Sequence, residues 1–576
     1  MNYGGLRPAV FLRVRGDTCR AAAPQRGAPA VWHHHGMARD LKADQEMLRT
    51  VQALAQNRDI PRAAAIAERA LADGFEHPLL LNVLAMRLEV EGRFEEAVRL
   101  LERAVALAPD DVPARNALAL CLQRLDRPAE ALQHVEEILS RHPGLGFAHA
   151  GKGDALIALG SLGLARASHL RALELDPGNL AALAALGSIA THRGEHAEAR
   201  RWAEQLLARV PGYPDGVLSL AAAELADGAA GRAESLLRGL LADPRAGAAD
   251  KARAQGLLGD VLDAAGRYGE AYLAYTGCNE ALRQIHRRFS ERSLLAYTRA
   301  LAAAFTAIAP SWPARPPPPA GEPGGAAGHV LLIGFPRSGT TFLEVVLDGH
   351  PAVASLEEHE LLTEGVQRFM SEPLDLAPLA RAGESELQAL RAAYWERVRR
   401  AGVDVSGKVF LDKHPLNTLK LPLIARLFPQ AKILFVSRDP RDVVLSCFRR
   451  RFRMNPAMYQ MLQLSSAAQF YDAVMDFADR ARPVLGLDWL DVRYESVMAD
   501  FAAGTRAICA FLGLPWTPGM EEFAGRVPGR ERATPSIAQL ARGLDASGVG
   551  HWQHYREALE PVQGTLARWI ARLGAP

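Results

Sequence analysis

The first half of the chain repeats itself with a step of 34 residues. Prolines recur at this step at Pro109, Pro143, Pro177 and Pro211, and Pro244 follows after 33 residues. An alanine keeps the same step at Ala63, Ala97, Ala131, Ala165, Ala199 and Ala233. Another small residue lies twelve positions before five of these alanines, at Ala85, Ala119, Gly153, Gly187 and Ala221. Coinciding periods of this kind indicate an array of similar units.

The repeated unit reads as a pair of helices. Small residues at fixed positions let two helices pack closely, and proline ends the second helix because it cannot donate the next hydrogen bond. This period, with these small positions, resembles the tetratricopeptide repeat. We count five clear repeats between about Pro78 and Pro244, a degraded one before them, and another after an insertion at Gly259 and Ala271. The resemblance implies a right-handed solenoid whose concave face binds a peptide or protein; a rigid spacer is the alternative.

Changes of composition predict four segments. Residues 1–43 begin with a basic, acid-poor stretch, which we interpret as a disordered extension with Met37 as an alternative start. The helical pattern covers residues 44–308 and predicts the repeat domain. Residues 309–328, APSWPARPPPPAGEPGGAAG, can hold neither helix nor strand and are interpreted as a linker. A second domain is expected over residues 329–576.

Charge and cysteine content narrow the functional classes. The chain has 67 basic and 65 acidic residues, so its balance gives no reason to expect a nucleic acid partner. Its five cysteines are far apart and fit no metal spacing, which favours free thiols in a reducing compartment and predicts a cytoplasmic protein. We expect no membrane span, because no apolar run approaches roughly 20 residues. Nothing in the sequence indicates the oligomeric state.

A different pattern follows the linker, HVLLIGFPRSGTTFLEVVLDGHP. Val330–Ile333 reads as a buried strand, a turn rich in Gly and Pro follows, and Thr340–Leu347 is apolar at helical spacing. Strand, glycine loop and helix point backbone N–H groups at an anion. Gly334 and Gly339 have the spacing of a Walker A loop, but Thr340 replaces its lysine. The loop predicts a bound phosphate-like group without Mg²⁺; an ordinary Gly-rich turn is the alternative.

Strands and helices continue to alternate after this loop. Val409–Leu411 and Lys432–Ser437 read as strands, Leu416–Phe428 as a helix, and another helix is expected near Pro440 with Asp439 as its cap. Such alternation predicts an α/β domain with a parallel sheet covered on both faces. Ligands of these sheets bind beyond the carboxyl ends of the strands. The expected fold class is therefore an all-helical repeat solenoid followed by a P-loop-like α/β domain.

Several motifs of the second domain match one family. PRSGTT at Pro336–Thr341 resembles the 5′-phosphosulfate loop of sulfotransferases that use 3′-phosphoadenylyl sulfate (PAPS), and Arg438 followed by Ser446 resembles their 3′-phosphate motif. Other segments are similar to the branch with protein-tyrosine sulfotransferases and bacterial tetratricopeptide-repeat sulfotransferases, namely Asp412-Lys413-x-Pro415-x-Asn417, Thr534-Pro535-Ser536 and Val549-Gly550-x-Trp552. The resemblance covers about residues 328–561.

The resemblance implies a role for each matching residue. The 5′-phosphosulfate would be held by Arg337, Ser338, Gly339, Thr340 and Thr341, the 3′-phosphate by Arg438 and Ser446, and the nucleotide would contact Tyr494. Lys413 would stabilise the bridging oxygen of the leaving group, assisted by Ser536 and Arg337. Glu357 aligns with the catalytic base, and its pKa would be raised by the nearby anion. Glu358 and His414 are rival bases.

The implied activity is PAPS-dependent transfer of a sulfuryl group to a hydroxyl, most readily to tyrosine of a protein or peptide held with help of the repeats. A carbohydrate or small-molecule hydroxyl is an alternative acceptor. A non-catalytic repeat scaffold with a degenerate nucleotide-binding domain is the alternative of another class. The basic run Arg449-Arg450-Arg451-x-Arg453 is expected to be a solvated face, although it could attract an acidic acceptor.

Overall fold

The structure is a computed structural model that describes residues 41–291, 293–316, 325–526, 543 and 546–574. Most of the expected N-terminal extension, the centre of the expected linker, and Ser536 lie outside the described residues. Contacts divide the chain into two compact units, one ending at Leu186 and the other beginning at Gly187. The unit that begins at Gly187 contains the later helices of the repeat region as well as the sheet.

The repeat region consists of helices that follow one another in pairs, as the sequence predicts. The five clear repeats correspond to α3 through α12, the degraded one to α1 and α2, and the last to α13 and α14. The helices are α1 (Leu41–Gln56), α2 (Ile60–Ala72), α3 (Pro78–Val90), α4 (Phe94–Leu107), α5 (Val112–Arg124), α6 (Pro128–Arg141), α7 (Gly146–Ala158), α8 (Leu162–Leu175), α9 (Leu180–Arg193), α10 (His196–Arg209), α11 (Pro214–Ala226), α12 (Ala230–Ala242), α13 (Ala248–Ala264) and α14 (Tyr268–Ile285).

The small residues of the repeat lie where two helices touch. Ala97, Ala131 and Ala165 are completely buried. A Cβ on Gly153 would overlap the ring of His169 in the paired helix, and one on Gly259 would overlap the ring of Tyr275. The periodic alanines and glycines therefore reflect close helix packing, which is the reason inferred from the sequence.

One helix joins the repeats to the sheet. Helix α15 (Leu294–Ile308) is flanked by 3₁₀ turns at Arg287–Glu291 and Ala309–Ser311. By length and composition alone, the helix within Arg287–Ser311 could cross a membrane, which differs from the expectation that no apolar run approaches roughly 20 residues. One such stretch is weak evidence for a span. Buried Phe305 packs edge to face on Phe477 with ring centroids 5.9 Å apart.

Five parallel strands form one sheet in the order β2-β3-β1-β4-β5. The sequence predicts β1, β3 and β4 but misses β2 and β5. In register, Lys413 lies beside Leu332 on one side and Glu357 on the other. The strands are β1 (Gly328–Gly334), β2 (Val353–Glu357), β3 (Val409–Lys413), β4 (Lys432–Ser437) and β5 (Asp488–Arg493).

Helices cover both faces of the sheet, as expected for a parallel sheet. Alternate residues of β1 enter different cores: Leu331 and Ile333 join one cluster, and Val330 and Leu332 the other. The helices are α16 (Thr340–Leu347), α17 (Thr363–Phe369), α18 (Ala377–Arg381), α19 (Glu384–Arg400), α20 (Leu421–Leu427), α21 (Pro440–Arg449), α22 (Pro456–Gln460), α23 (Leu464–Leu485), α24 (Tyr494–Ala499), α25 (Phe501–Leu512), α26 (Phe523–Arg526) and α27 (Arg556–Leu573). Further 3₁₀ turns are Pro415–Lys420, Pro518–Met520, Ala546–Gly548 and His551–Tyr555.

The helix expected over Leu416–Phe428 is wrong in its first half. The chain forms the 3₁₀ turn Pro415–Lys420 there, and α20 begins only at Leu421. Pro422 lies in the first turn of α20, where its missing N–H costs nothing. Thr418 donates its hydroxyl to the carbonyl of Gly334 at 2.8 Å, which fixes the turn against the end of β1.

A buried polar network lies below the carboxyl end of β3. The hydroxyl of Tyr394 donates to Asp412 Oδ2 at 2.9 Å and shares a 2.8 Å hydrogen bond with His329 Nε2. Asn417 Nδ2 is 3.4 Å from the same carboxylate oxygen. Burial raises the pKa of Asp412 to about 6, although the hydrogen bond from Tyr394 opposes the rise. The network therefore ties β1, α19 and β3 together through a carboxyl group that binds a proton readily.

This raised pKa predicts how stability depends on pH. The folded chain holds a proton on Asp412 up to about pH 6, whereas the unfolded chain releases it near the ordinary value of 3.8. The group therefore stabilises the fold at low pH, and this contribution is lost as pH rises from 4 to 7, by about 3 kcal/mol. In urea unfolding, Asp412→Asn should gain that amount relative to the wild type between pH 4 and 7.

Tyr394→Phe provides the matched comparison. It removes the donor that holds the pKa of Asp412 down, so the loss of stability should move to higher pH. Parallel stability curves for the wild type and Asp412→Asn would show that the carboxyl group does not titrate in this window.

Candidate active site

The loop between β1 and α16 follows a path that requires glycine at two positions. Gly334 has φ 155°, and a Cβ there would overlap the carbonyl oxygen of Val436 in the adjacent strand. Gly339 has φ 105°, and a Cβ there would overlap the ring of Tyr494. Gly339 is also the N-cap of α16 and has no side chain to cover the first amides of the helix. The loop therefore presents backbone donors at the carboxyl end of β1.

The side chains of the loop are largely buried. Ser338, Thr340 and Thr341 are buried, and Arg337 adopts a left-handed backbone conformation with φ 70°. Burial lowers the pKa of Arg337 to about 9, and the positive charges of Arg450 and Arg438 add to the effect. A guanidinium surrounded by like charge is stabilised by an anion.

The second predicted anion motif lies directly against this loop. Arg438 follows β4, and Ser446 lies two turns along α21, whose cap is Asp439 as expected. Arg337 Nε donates to Ser446 Oγ at 3.0 Å. Arg438 also reaches the carbonyl of Arg337, at 3.4 Å. The structure thus brings the two motifs into contact, although about a hundred residues separate them in sequence.

Arg438 is held in place by its neighbours but keeps one donor without a partner. Its guanidinium lies 5.1 Å from the ring centroid of Tyr494 and donates to the carbonyl of Gly548. Asp442 of α21 is 3.7 Å from the guanidinium. Its buried Nε has no hydrogen-bond partner among the described residues. Such an orphaned cationic donor beside a glycine loop fits a phosphate group.

Lys413 ends β3 and is completely buried among carboxylates. Its Nζ lies 2.8 Å from Glu357, 2.9 Å from Glu358 and 3.5 Å from Glu344. Thr341 of the glycine loop is 3.4 Å from the same atom. Burial opposes the charge, but these three carboxylates outweigh it and raise the pKa of Lys413 above its ordinary value. The ammonium group is therefore charged, and it links the anion loop to the acidic groups.

The three rival bases occupy different positions. Glu357 is the last residue of β2, and its side chain is 9% exposed, against 44% for Glu358. Glu358 has φ 49°, and its N–H donates to the carbonyl of Lys413 at 2.7 Å. His414 instead pairs with Glu360, Nε2 to Oε1 at 3.2 Å. The structure places both glutamates at Lys413 and turns His414 toward a different carboxylate.

The basic run at the end of α21 is exposed only at Arg453, so the expectation of a solvated face is wrong for Arg449, Arg450 and Arg451. Arg449 pairs with Asp263 at 2.6 Å, and Arg451 pairs with Asp260 at 2.7 Å. Both aspartates lie on α13. The guanidinium of Arg450, between them, has no ion pair or hydrogen bond among the described residues, and its charge adds to the effect of burial in lowering the pKa of Arg337. The sequence does not show this pairing, because its acidic partners precede the run by almost two hundred residues.

Two acidic residues of the site were missed from the sequence. Glu344 is buried in α16, where it accepts a hydrogen bond from Ser355 at 3.2 Å and faces Lys413. A glutamate in the otherwise apolar segment TTFLEVVL was the available signal. Asp442 accepts the backbone N–H groups of Gly550 at 2.7 Å and Trp552 at 2.9 Å. No local pattern indicated that pairing.

Separate parts of the chain match two known families. Residues 329–518 match the sulfotransferase family, and residues 91–150 and 151–214 match tetratricopeptide repeats. The crystal structure of PilW, a type IV pilus biogenesis factor, aligns with a TM-score of 0.31 and 20% identity, covering 37% of this chain and 94% of that chain. A score of this size supports no conclusion.

Relatives in other organisms are distant. A protein of Aquifex aeolicus described as uncharacterized is 25% identical over 437 residues, which are 72% of this chain and 54% of that protein. Protein-tyrosine sulfotransferase A of Caenorhabditis elegans is 27% identical over 253 residues, 39% of this chain and 60% of that protein. Each match thus spans less than two thirds of the relative's length. The chain carries tetratricopeptide repeats followed by a domain that matches the sulfotransferase family.

Proposed function

We propose that this chain transfers a sulfuryl group from PAPS to the hydroxyl group of an acceptor, with tyrosine of a protein or peptide as the favoured acceptor. The observation that carries the proposal is the buried ammonium of Lys413. It lies within 3.5 Å of the glycine loop and of two candidate bases, Glu357 and Glu358. Charge that develops on a leaving group at this point would meet a fixed cation in a site shielded from water.

The residues around the loop suit a donor with two anionic ends. The 5′-phosphosulfate would be held by the amides at the start of α16 together with Arg337, Ser338, Thr340 and Thr341. Arg438 and Ser446 would bind the 3′-phosphate, and Arg438 Nε, which has no hydrogen-bond partner among the described residues, would supply a donor for it. Tyr494, packed against Gly339 and Arg438, would contact the nucleotide. Ser536 remains a predicted contact to the leaving group.

The proposed chemistry assigns one step to each polar side chain. PAPS supplies the sulfuryl group and, as leaving group, adenosine 3′,5′-bisphosphate. Glu357 accepts the proton of the acceptor hydroxyl as the new oxygen–sulfur bond forms. Lys413, with Arg337, holds the charge that appears on the bridging oxygen as the old sulfur–oxygen bond breaks. Glu344 keeps Lys413 in place without facing the acceptor, since it is buried in α16.

Tyrosine is favoured as acceptor for two reasons. Several relatives are named protein-tyrosine sulfotransferases. Tetratricopeptide repeats commonly bind extended peptides or proteins, which would bring a peptide acceptor to this chain.

The base assignment predicts the behaviour of two matched variants. Glu357→Gln should abolish sulfuryl transfer, by at least about a hundredfold, because the amide cannot take the proton. Glu358→Gln removes the neighbouring carboxylate from the more exposed position and should retain most activity. Both would be assayed with isotope-labelled PAPS against tyrosine peptides, glycans and phenols, and both should bind adenosine 3′,5′-bisphosphate nearly as the wild type does.

An active Glu357→Gln enzyme would transfer the role to Glu358 or His414. Label appearing in glycans or phenols but not in peptides would contradict the tyrosine assignment while leaving the reaction class intact. No transfer to any acceptor by the wild type would count against the activity itself.

The donor assignment predicts a selective loss of nucleotide binding. Arg438→Ala should weaken adenosine 3′,5′-bisphosphate at least about tenfold in calorimetric titration, because one charge-assisted contact to the 3′-phosphate is lost. Binding of adenosine 5′-phosphate, which lacks that group, should change far less. Arg480→Ala, on the exposed face of α23, is the matched control and should change neither. Equal losses for both nucleotides would remove Arg438 from the 3′-phosphate site.

A further inference from the structure

The last helical hairpin of the repeat region, α13 and α14, is joined to the elements that carry Arg438 and Ser446. Two carboxylates of α13 make the connection. Asp260 pairs with Arg451 at 2.7 Å and accepts the hydroxyl of Tyr275 at 3.0 Å. Asp263 pairs with Arg449 at 2.6 Å. Both arginines stand at the C-terminal end of α21.

The packing around these ion pairs is close enough to fix the end of α21. A Cβ on Gly256 would lie 2.6 Å from Cδ of Arg451, so that side chain crosses α13 where only a glycine leaves room. Asn279 of α14 donates its side-chain amide to the carbonyl of Phe448 at 2.9 Å, and both groups are buried. The hairpin therefore holds the helix that carries Ser446 through side chains of both of its own helices.

Arg450 lies between the two paired arginines in the sequence. Its backbone is extended, with φ −96° and ψ 139°. The negative charge of Asp260 acts on its guanidinium, and its own charge acts on Arg337. Arg449 and Arg451 pair with α13, whereas the guanidinium of Arg450 makes no ion pair within the part of the chain that the structure describes.

Asp263 makes a second connection to the donor site through the C-terminal segment. Its other carboxylate oxygen is 3.0 Å from His551 Nε2 and also accepts the hydroxyl of Tyr555. Tyr268 of α14 stacks on His554 with ring centroids 4.2 Å apart. This segment starts with Gly548, whose carbonyl accepts from Arg438. Asp263 is thus connected to the surroundings of Arg438 in two ways. One connection runs through Arg449 at the end of α21, and the other runs through the segment that contains Gly548.

We propose that Asp260 and Asp263 are positioning residues of the donor site, and that the α13–α14 hairpin is a structural part of that site. The proposal rests on the proposed function, since it assigns these residues to binding the 3′-phosphate of the donor. They act through the arginine run and through the segment 548–555, and touch no substrate themselves. By linkage, donor binding and docking of the hairpin stabilise each other.

The test compares nucleotide affinities of full-length variants. The double variant Asp260→Asn/Asp263→Asn keeps the size of both side chains and removes both charges. In calorimetric titration it should weaken adenosine 3′,5′-bisphosphate at least about tenfold and adenosine 5′-phosphate by no more than about twofold. Glu270→Gln is the matched control, because it removes the exposed pair with Arg267 on the same hairpin and should leave both affinities unchanged.

The affinity for adenosine 3′,5′-bisphosphate relative to that for adenosine 5′-phosphate shows whether the two aspartates position the 3′-phosphate site or only stabilise the fold. A folded double variant that binds adenosine 3′,5′-bisphosphate as tightly as the wild type would overturn the proposal. Equal losses for both nucleotides would overturn it as well. A wild-type protein that binds neither nucleotide would instead contradict the proposed function.

A second measurement needs no variant. In the wild type, adenosine 3′,5′-bisphosphate should slow hydrogen exchange at least about threefold in α13 and in residues 546–555, because it stabilises the docked hairpin. Adenosine 5′-phosphate should have a smaller effect there. Should the double variant fail to fold, unchanged exchange in α13 with saturating adenosine 3′,5′-bisphosphate would by itself overturn the proposal.

Discussion

The charge of Lys413 is the constraint on which the sheet and its site depend. An ammonium group that is moved out of water loses several kcal/mol of solvation free energy. Carboxylates close to it can offset that loss by their attraction to its charge. Glu344 of α16 and Glu357 and Glu358 at the end of β2 provide that compensation. Because Glu357 and Lys413 are also partners in the strand register, the ion cluster and the order of the strands specify one another. A shift of one residue in β2 would place Glu357 on the wrong face.

The sequence predicts the elements whose signals are local. The apolar runs of β1, β3 and β4, the glycine loop and the Asp439 cap each lie within a few residues, and the structure confirms them. Strands β2 and β5 form the edges of the sheet, and their sequences, VASLE and DWLDVR, are short or carry charges. β5 is partly exposed and carries charges, whereas β2 is largely buried but only 5 residues long, so neither strand shows a clear apolar pattern. The candidate site follows the same rule, because its short motifs can be read locally. Glu344 and Asp442 were not predicted, since their partners are distant in sequence.

The basic run shows why local reading fails at long range. Consecutive arginines in a sequence indicate a hydrated surface, because arginine is rarely buried without an acidic partner. A sequence alone does not show whether such a partner lies nearby in the fold. Here the partners come from α13, and the run becomes a contact between repeat helices and the sheet domain. The Pro-rich stretch likewise marks a change of composition, whereas the compact units divide at Leu186, inside the repeats.

This division changes what the repeats can do. A repeat domain joined to a catalytic domain by a proline-rich linker alone would be expected to move independently. Helices α13 and α14 instead contribute ion pairs, a buried amide and aromatic contacts to the domain that follows, including Tyr272 on Phe448 with centroids 5.6 Å apart. Asp260 and Asp263 of α13, which are paired with arginines of the following domain, are not available to bind a peptide. An acceptor or partner bound by the repeats would therefore have to find its polar contacts elsewhere on them.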